Sequence, residues 1–228
     1  MKTTERRGVR LLPRELLVKT NPLDQGDWVY RPVLGEVERM RFRVIASMLR
    51  ARPRAHRLLE VGYGSGILLP ELARACDELH GIDVHPCAAD VARQLDLVDV
   101  KARLLTGDAC ALPYRDASFD VVVIVSAMEF VPDVAAAARE AVRVLTPEGV
   151  ALVVTPGNSA VLDLGLKILT GERAEDTFEG RRAQVVPSLR AAGDVVEERL
   201  LPRGVARLVP VYRALAIRRR SGSAVSRP

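Results

Sequence analysis

The residues best placed to do chemistry are three alternating glycines led by a carboxylate, Glu60-x-Gly62-x-Gly64-x-Gly66, and three later carboxylates, Asp83, Asp108 and Glu129. Leu58, Leu59 and Val61 around Glu60 suit a buried parallel strand. Glycines after such a strand permit a tight turn with φ > 0, and a missing Cβ lets a ligand lie against the backbone. The following ILLPELARA (67–75) is expected to continue as a helix, aiming free N–H groups and a positive dipole end at that ligand. Strand, glycine turn and helix in that order make a cradle for a small molecule.

Two cofactor classes use such a cradle. The dinucleotide fingerprint G-x-G-x-x-G needs glycine where this chain has Ile67. No Tyr-x-x-x-Lys or comparable hydride-site pair is recognisable, so an NAD(P)-linked oxidoreductase stands as the alternative reading. The spacing acidic-x-G-x-G-x-G instead resembles the first motif of the class I S-adenosylmethionine (SAM) dependent methyltransferases. LHGIDVHP (79–86) resembles the family's second strand, ending in Asp83. LLTGDACALPYRDASFDVVVIVSAMEFVPD (104–133) resembles its GDA-x-x-LP-(F/Y)-x-D-x-(S/T)-FD run, and AVRVLTPEGVALVVTP (141–156) completes the order. The match covers roughly residues 55–156 and is most similar to the small-molecule group that holds the ubiquinone and menaquinone methyltransferases.

The resemblance implies a cofactor site of Glu60, Gly62, Tyr63, Gly64, Gly66, Asp83, Val84, Asp108, Ala109 and Ser126. Asp83 would take both ribose hydroxyls, since one carboxylate offers two acceptor oxygens. Asp108 would accept from the adenine amino group, and the Ala109 N–H would meet the ring. Asp83 as a helix N-cap before Pro86, and Asp108 as a turn former, are the plain structural alternatives. Glu129 matches the family's L-E-H-V-P-D at a place where the acceptor should sit, but Phe130 replaces the histidine. Glu129 is thus the catalytic candidate, with a structural contact as the competing reading, and Phe130 an apolar wall. Trp28 and Tyr30 stand in an N-terminal segment that in similar enzymes often folds over the site as a lid, although packing of that segment onto the domain is the simpler and preferred reading.

Methyl transfer from a sulfonium needs alignment more than acid–base help, so an obligatory base is not required. None of His56, His80 and His85 is a convincing one; His85 lies near enough to Asp83 to touch the ribose side. The absence of D/N-P-P-Y/F or Pro-Cys at Ser126–Glu129 weighs against methylation of DNA bases, and no metal-ligand cluster is evident.

These residues need a frame. The reading is a doubly wound, Rossmann-like α/β domain with seven strands, the last antiparallel, and helices on both faces. Residues 1–50 form an extension, with helical potential near 13–19 and a helix over 34–50. Residues 51–220 form the methyltransferase domain and 221–228 a disordered tail. Strands are expected at 57–61, 78–83, 102–105, 119–125, 149–155, 194–201 and 208–217. Helices are expected at 66–75, from Pro86 to about Leu97, and at 134–145, 158–170 and 181–192, the last ended by Gly193.

A chain of 228 residues with 48% hydrophobic residues is long enough for one full core. Its three cysteines, Cys76, Cys87 and Cys110, lack zinc or redox spacing and read as reduced thiols. No clean signal peptide or membrane span is visible, so the cytoplasm is the expected location. Partners reduce to a small-molecule substrate; the oligomeric state is not legible. The net charge of +5 and the seven arginines of residues 200–228 leave peripheral membrane contact or RNA association open, against a plain solvated terminus. Nucleic acid is disfavoured because no aromatic interleaving supports base stacking. The apolar AVLDLGLKIL (160–169) leans toward a hydrophobic acceptor. A SAM-binding protein without catalysis is the remaining alternative.

Overall fold

The computed structural model describes residues 4–6, 8–20, 26–32, 34–157, 180–202 and 210–220. The helix expected at 158–170 and the tail at 221–228 lie outside the described residues. A two-stranded hairpin, β1 (Thr4–Arg6) and β2 (Val9–Leu11), opens the chain, followed by 3-10 turns at Arg14–Leu16 and Gly26–Tyr30. The helix expected near 13–19 is therefore one short turn, because Pro13 precedes it and Leu17 is already extended. Helix α1 covers Leu34–Arg50 as expected.

The main sheet contains β3 (Ala55–Val61), β4 (Cys76–Asp83), β5 (Arg103–Thr106), β6 (Phe119–Val125), β7 (Leu145–Pro156), β8 (Asp194–Leu201) and β9 (Tyr212–Arg218). Its order is β5-β4-β3-β6-β7-β9-β8. The first five are parallel, and the last strand in sequence, β9, lies antiparallel between β7 and β8. Strand β7 starts four residues before the expected 149, running through the Pro-Glu-Gly segment with a register shift opposite β6 between Phe119 and Val121.

Among the described residues the other helices are α2 (Leu69–Leu72), α3 (Ala88–Asp96), α4 (Val134–Arg143) and α5 (Arg181–Ala192). Asp133 caps α4 by accepting from the Ala136 amide at 2.8 Å. Gly193 does end α5, but in extended backbone. Its missing Cβ matters because a side chain would stand 2.5 Å from the Arg218 carbonyl oxygen. Two cores result. Leu58, Leu152 and Val154 face α1 and the N-terminal segment; Leu59, Val122 and Val153 face α4 and α5.

Helix α2 differs most from expectation. It has four residues and passes straight into a 3-10 turn, not one helix over 66–75. So short a helix supplies little macrodipole, and the cradle must rely on its loop and its carboxylates. The N-terminal segment holds this region in place. The Leu12 amide donates to the Ile67 carbonyl at 3.0 Å, and Glu71, nearly buried, accepts from the Arg10 amide at 2.9 Å and pairs with Arg50 at 2.9 Å.

Among the described residues no helix is long and apolar enough to cross a membrane. Of the C-terminal arginines, Arg213 pairs with Glu198 at 3.0 Å and Arg220 donates to the Arg190 carbonyl at 2.9 Å.

Candidate active site

Parallel strands direct their carboxyl ends to one edge of a sheet, and ligands of open α/β sheets bind outside that edge near the change in strand order. Here β3 is central, with β4 on one side and β6 on the other. The candidates follow from this. Gly62–Gly66 succeed β3, Asp83 ends β4 with Val84 directly after it, Asp108 follows β5, and Ser126–Phe130 follow β6.

The glycine loop is a set of fitted contacts. Gly62 has φ +78, and a Cβ there would stand 2.4 Å from the Ala127 Cβ, so the loops after β3 and β6 touch at this point. Gly64 has φ +50 and a Cβ there would meet nothing within 4 Å. It faces open space, as a cradle requires. A Cβ on Gly66 would press on Val91 of α3. Tyr63 is buried, its ring edge-on to His85 with centroids 4.9 Å apart. Its side chain fills space beside Gly81 and not the cradle, so only its backbone is available to a ligand.

The Gly64 amide is not free. It donates to Asp83 Oδ2 at 2.8 Å. Asp83 therefore supports the glycine loop and does not cap α3, which starts at Ala88 after Cys87. His85 is the second support. Its Nδ1 accepts from the Cys87 amide at 3.1 Å, which assigns the proton to Nε2, and Nε2 donates to the Gly64 carbonyl at 3.0 Å. At 5% exposure His85 is a buried staple between the ends of β3 and β4, its Nε2 3.8 Å from Asp83 Oδ2. Its spacing from Asp83 was the only sequence signal for this role.

Glu60 is 3% exposed, and its Oε2 has no hydrogen-bond partner. Burial, with the nearby Asp83 charge, pushes its carboxyl up from the ordinary 4.5 to about 8. Val84, by contrast, is 79% exposed directly after Asp83. Asp108 is exposed, and its Oδ1 accepts from the Cys110 amide at 2.8 Å in a local turn. Ala109 packs partly buried against the α4-side core. Ser126 has φ +50, its amide donates to the Val154 carbonyl at 2.8 Å, and its buried Oγ has no partner. A non-glycine residue held at positive φ beside a loop is the kind of strain that gathers at functional sites.

Glu129 is 1% exposed, and its Oε2 also lacks a partner. Burial raises its carboxyl to about 7, opposed by the charges of Arg41 and Arg182. Phe130 is about half exposed beside it. The N-terminal aromatics are tied to their own segment: Tyr30 donates to the Leu12 carbonyl, and the Arg31 guanidinium lies 5.3 Å over the Trp28 ring. Among the described residues no cluster of three metal-ligating side chains occurs. A shallow depression lined by Arg190 and residues 193–198 lies on the outer strand, and no candidate residue borders it.

A carboxylate-led glycine loop clamped by the acid of the next strand, with open space over Gly64, fits the adenosine and amino-acid ends of SAM. Residues 59–153 match the family described as a methyltransferase domain. This segment is a class I, SAM-dependent methyltransferase domain. The malonyl-(acyl-carrier protein) O-methyltransferase of Halorhodospira halophila is 32% identical over 118 residues, 51% of this chain and 39% of that protein. The 2-methyl-6-phytyl-1,4-hydroquinone methyltransferase of Synechocystis sp. is 38% identical over 97 residues, 42% of this chain and 30% of that protein. The chain thus spans well under half the length of these relatives. Among solved structures, the N-methyltransferase NodS of Bradyrhizobium japonicum, in complex with S-adenosyl-L-homocysteine, superposes with a TM-score of 0.61 at 20% identity. That alignment covers 92% of this chain and 97% of NodS. At this identity the likeness is one of fold. The methyltransferase domain takes SAM as its cofactor, which decides against the NAD(P) alternative.

Proposed function

We propose that the protein methylates a small, hydrophobic organic acceptor, on oxygen or carbon, in lipid, quinone or secondary metabolism. The observation that carries this reading is the convergence of Gly64, Asp83 and Glu129 on the carboxyl ends of β3, β4 and β6, with buried, unpartnered carboxylate oxygens on Glu60 and Glu129. Bound SAM supplies an activated methyl group on a sulfonium leaving group.

The chain's own residues bind and orient. Glu60 Oε2, buried without a partner, suits a cationic ammonium. Asp83 keeps one strong bond to the Gly64 amide and a longer one, 3.4 Å, from the His85 amide, leaving acceptor capacity for the ribose hydroxyls. Val84 presents an apolar surface for the adenine, with Asp108 and the Ala109 amide at its edge. Gly62, Gly66, the Tyr63 backbone and Ser126 shape the floor. Glu129 faces the acceptor, with Phe130 as an apolar wall and Trp28 and Tyr30 as the neighbouring cover. A hydrophobic acceptor agrees with the hydroquinone and acyl-carrier substrates in the relatives' names.

Calorimetric titration with S-adenosylhomocysteine and with NAD tests the cofactor half. Mass spectrometric detection of a one-methyl gain on a hydroquinone and fatty-acid panel tests the acceptor half. Glu129→Gln is expected to depress turnover while leaving S-adenosylhomocysteine affinity near wild type; equal turnover would make Glu129 structural.

A further inference from the structure

Residues 107–118 join β5 to β6 without forming helix or strand, and they carry Asp108 and Ala109. Such a segment has no ladder to use its backbone groups, so a precise place for Asp108 must be imposed by other elements. Asp108 is exposed, and its own bonds are local. Its Oδ1 accepts from the Cys110 amide at 2.8 Å and its carbonyl from the Ala111 amide at 3.1 Å. The residues that follow are held by α4.

Arg143, in the last turn of α4, grips this loop with its whole guanidinium. Its Nη1 donates to the Tyr114 carbonyl at 2.9 Å and to Asp116 Oδ1 at 2.7 Å. Its Nη2 donates to the Leu112 carbonyl at 3.1 Å and to Glu140 Oε2 at 2.7 Å, and its Nε to Glu140 Oε1 at 2.6 Å. Five N–H groups meet five acceptor atoms, the full capacity of an arginine. Glu140 Oε2 also accepts from the Leu112 amide at 2.8 Å, and the Arg143 guanidinium holds the Glu140 carboxyl below the ordinary carboxylate range. Side chains anchor the same stretch. Leu112 is buried, and the Tyr114 ring lies edge-on to Phe119 with centroids 4.8 Å apart. At the loop's entrance the Gly107 amide donates to the Asp83 carbonyl at 2.8 Å, and the Cys110 thiol donates to the carbonyl of Asp133, the α4 N-cap, at 3.4 Å. Helix α4 thus ties the loop at both of its own ends, and Asp108 and Ala109 sit between the Gly107 and Cys110 ties.

We propose that Arg143 and Glu140 are positioning residues for cofactor recognition, holding the 107–118 loop so that Asp108 and the Ala109 amide meet the adenine edge. This rests on the cofactor reading above and adds to it two residues that touch no ligand. Lysine at position 143 would keep the charge but offer three donors on a flexible stem, without the planar fork that meets carbonyls and carboxylates together. The effect falls on the adenine end, because Glu60 and the Asp83 carboxylate serve the rest of the cofactor from β3 and β4.

Calorimetric titration of the full chain with S-adenosylhomocysteine and with S-inosylhomocysteine, in which oxygen replaces the adenine amino group, reads this edge. The wild type is expected to bind S-adenosylhomocysteine about tenfold or more tightly, since the oxygen would meet Asp108 acceptor to acceptor. Arg143→Lys and Glu140→Gln are each expected to lower that ratio about fivefold or more, through weaker S-adenosylhomocysteine binding, with S-inosylhomocysteine binding near wild type. Glu140→Gln keeps an oxygen for the Leu112 amide and carries the test if Arg143→Lys fails to fold. Melting temperatures are measured alongside. A lowered melting temperature with the wild-type ratio would mean that the pair only stabilises the fold, which overturns the proposal. A ratio near one in the wild type overturns it as well, by removing Asp108 from adenine recognition. Failure of S-adenosylhomocysteine to bind the wild type would overturn the cofactor reading instead, so the failures are distinct.

Discussion

The amide of Gly64 donates to Asp83 Oδ2 at 2.8 Å, so the acid ending one strand fixes the glycine turn that ends its neighbour. One carboxylate then has two tasks, holding the loop and facing the ligand. Asp83→Ala should weaken S-adenosylhomocysteine binding by about 1–3 kcal/mol and also lower the melting temperature, because the Gly64 amide loses its acceptor. Calorimetric titration with differential scanning calorimetry checks both; a folded variant with unchanged affinity would remove Asp83 from the site.

The two glycines of the loop should separate structure from binding. Gly62→Ala would drive a Cβ to 2.4 Å from that of Ala127 and should destabilise the fold by several kcal/mol. Gly64→Ala meets no neighbour and should cost only the backbone strain of positive φ, about 1–2 kcal/mol, while still weakening cofactor binding. Gly64→Val should abolish binding in a folded protein. Equal stability losses at the two positions, measured by urea denaturation, would contradict this assignment.

Glu60 makes stability depend on pH in a definite direction. Folding raises its carboxyl from 4.5 to about 8, so between these values the unfolded chain has lost a proton that the folded chain keeps. Stability therefore falls as pH rises through that window, by at most about 1.4 kcal/mol per pH unit for one group. Glu129, raised to about 7, adds a contribution of the same sign. Glu60→Gln should flatten the profile between about pH 5 and about pH 8 in denaturant titrations. A cationic ligand should reverse the effect by drawing Glu60 into its charged form, so binding at neutral pH should release a proton. Calorimetry in buffers of different ionisation enthalpy reads that proton directly.

His85 should act on the loop without touching the ligand. His85→Ala removes an acceptor from the Cys87 amide, a donor from the Gly64 carbonyl and an aromatic edge from Tyr63. A loss of about 2–4 kcal/mol in stability is expected, accompanied by weaker cofactor binding. A variant of wild-type stability would show that the staple bears no strain.

Much of this was legible because periodicity and punctuation report local structure. The apolar run Phe119–Val125 and the alanine-rich helix behind Asp133 read correctly from residue types alone. The helix after Gly66 did not. Leucines and alanines favour a helix locally, yet the Leu12–Ile67 bond and the burial of Glu71 compete for that segment and leave one turn. The strand Val9–Leu11 has no signature in the sequence because Val9 and Leu11 bury themselves against distant chain, a force that no local pattern records.

By itself the sequence determined the strand order's raw material and the spacing of glycines and acids, since backbone freedom and carboxylate chemistry belong to residue types. Tertiary structure alone decided that Asp83 and His85 clamp Gly64, that Tyr63 points inward, and that Glu129 is buried with an unpartnered carboxylate oxygen. Those relations join residues far apart in the chain, and only the packing of parallel strands brings their ends together.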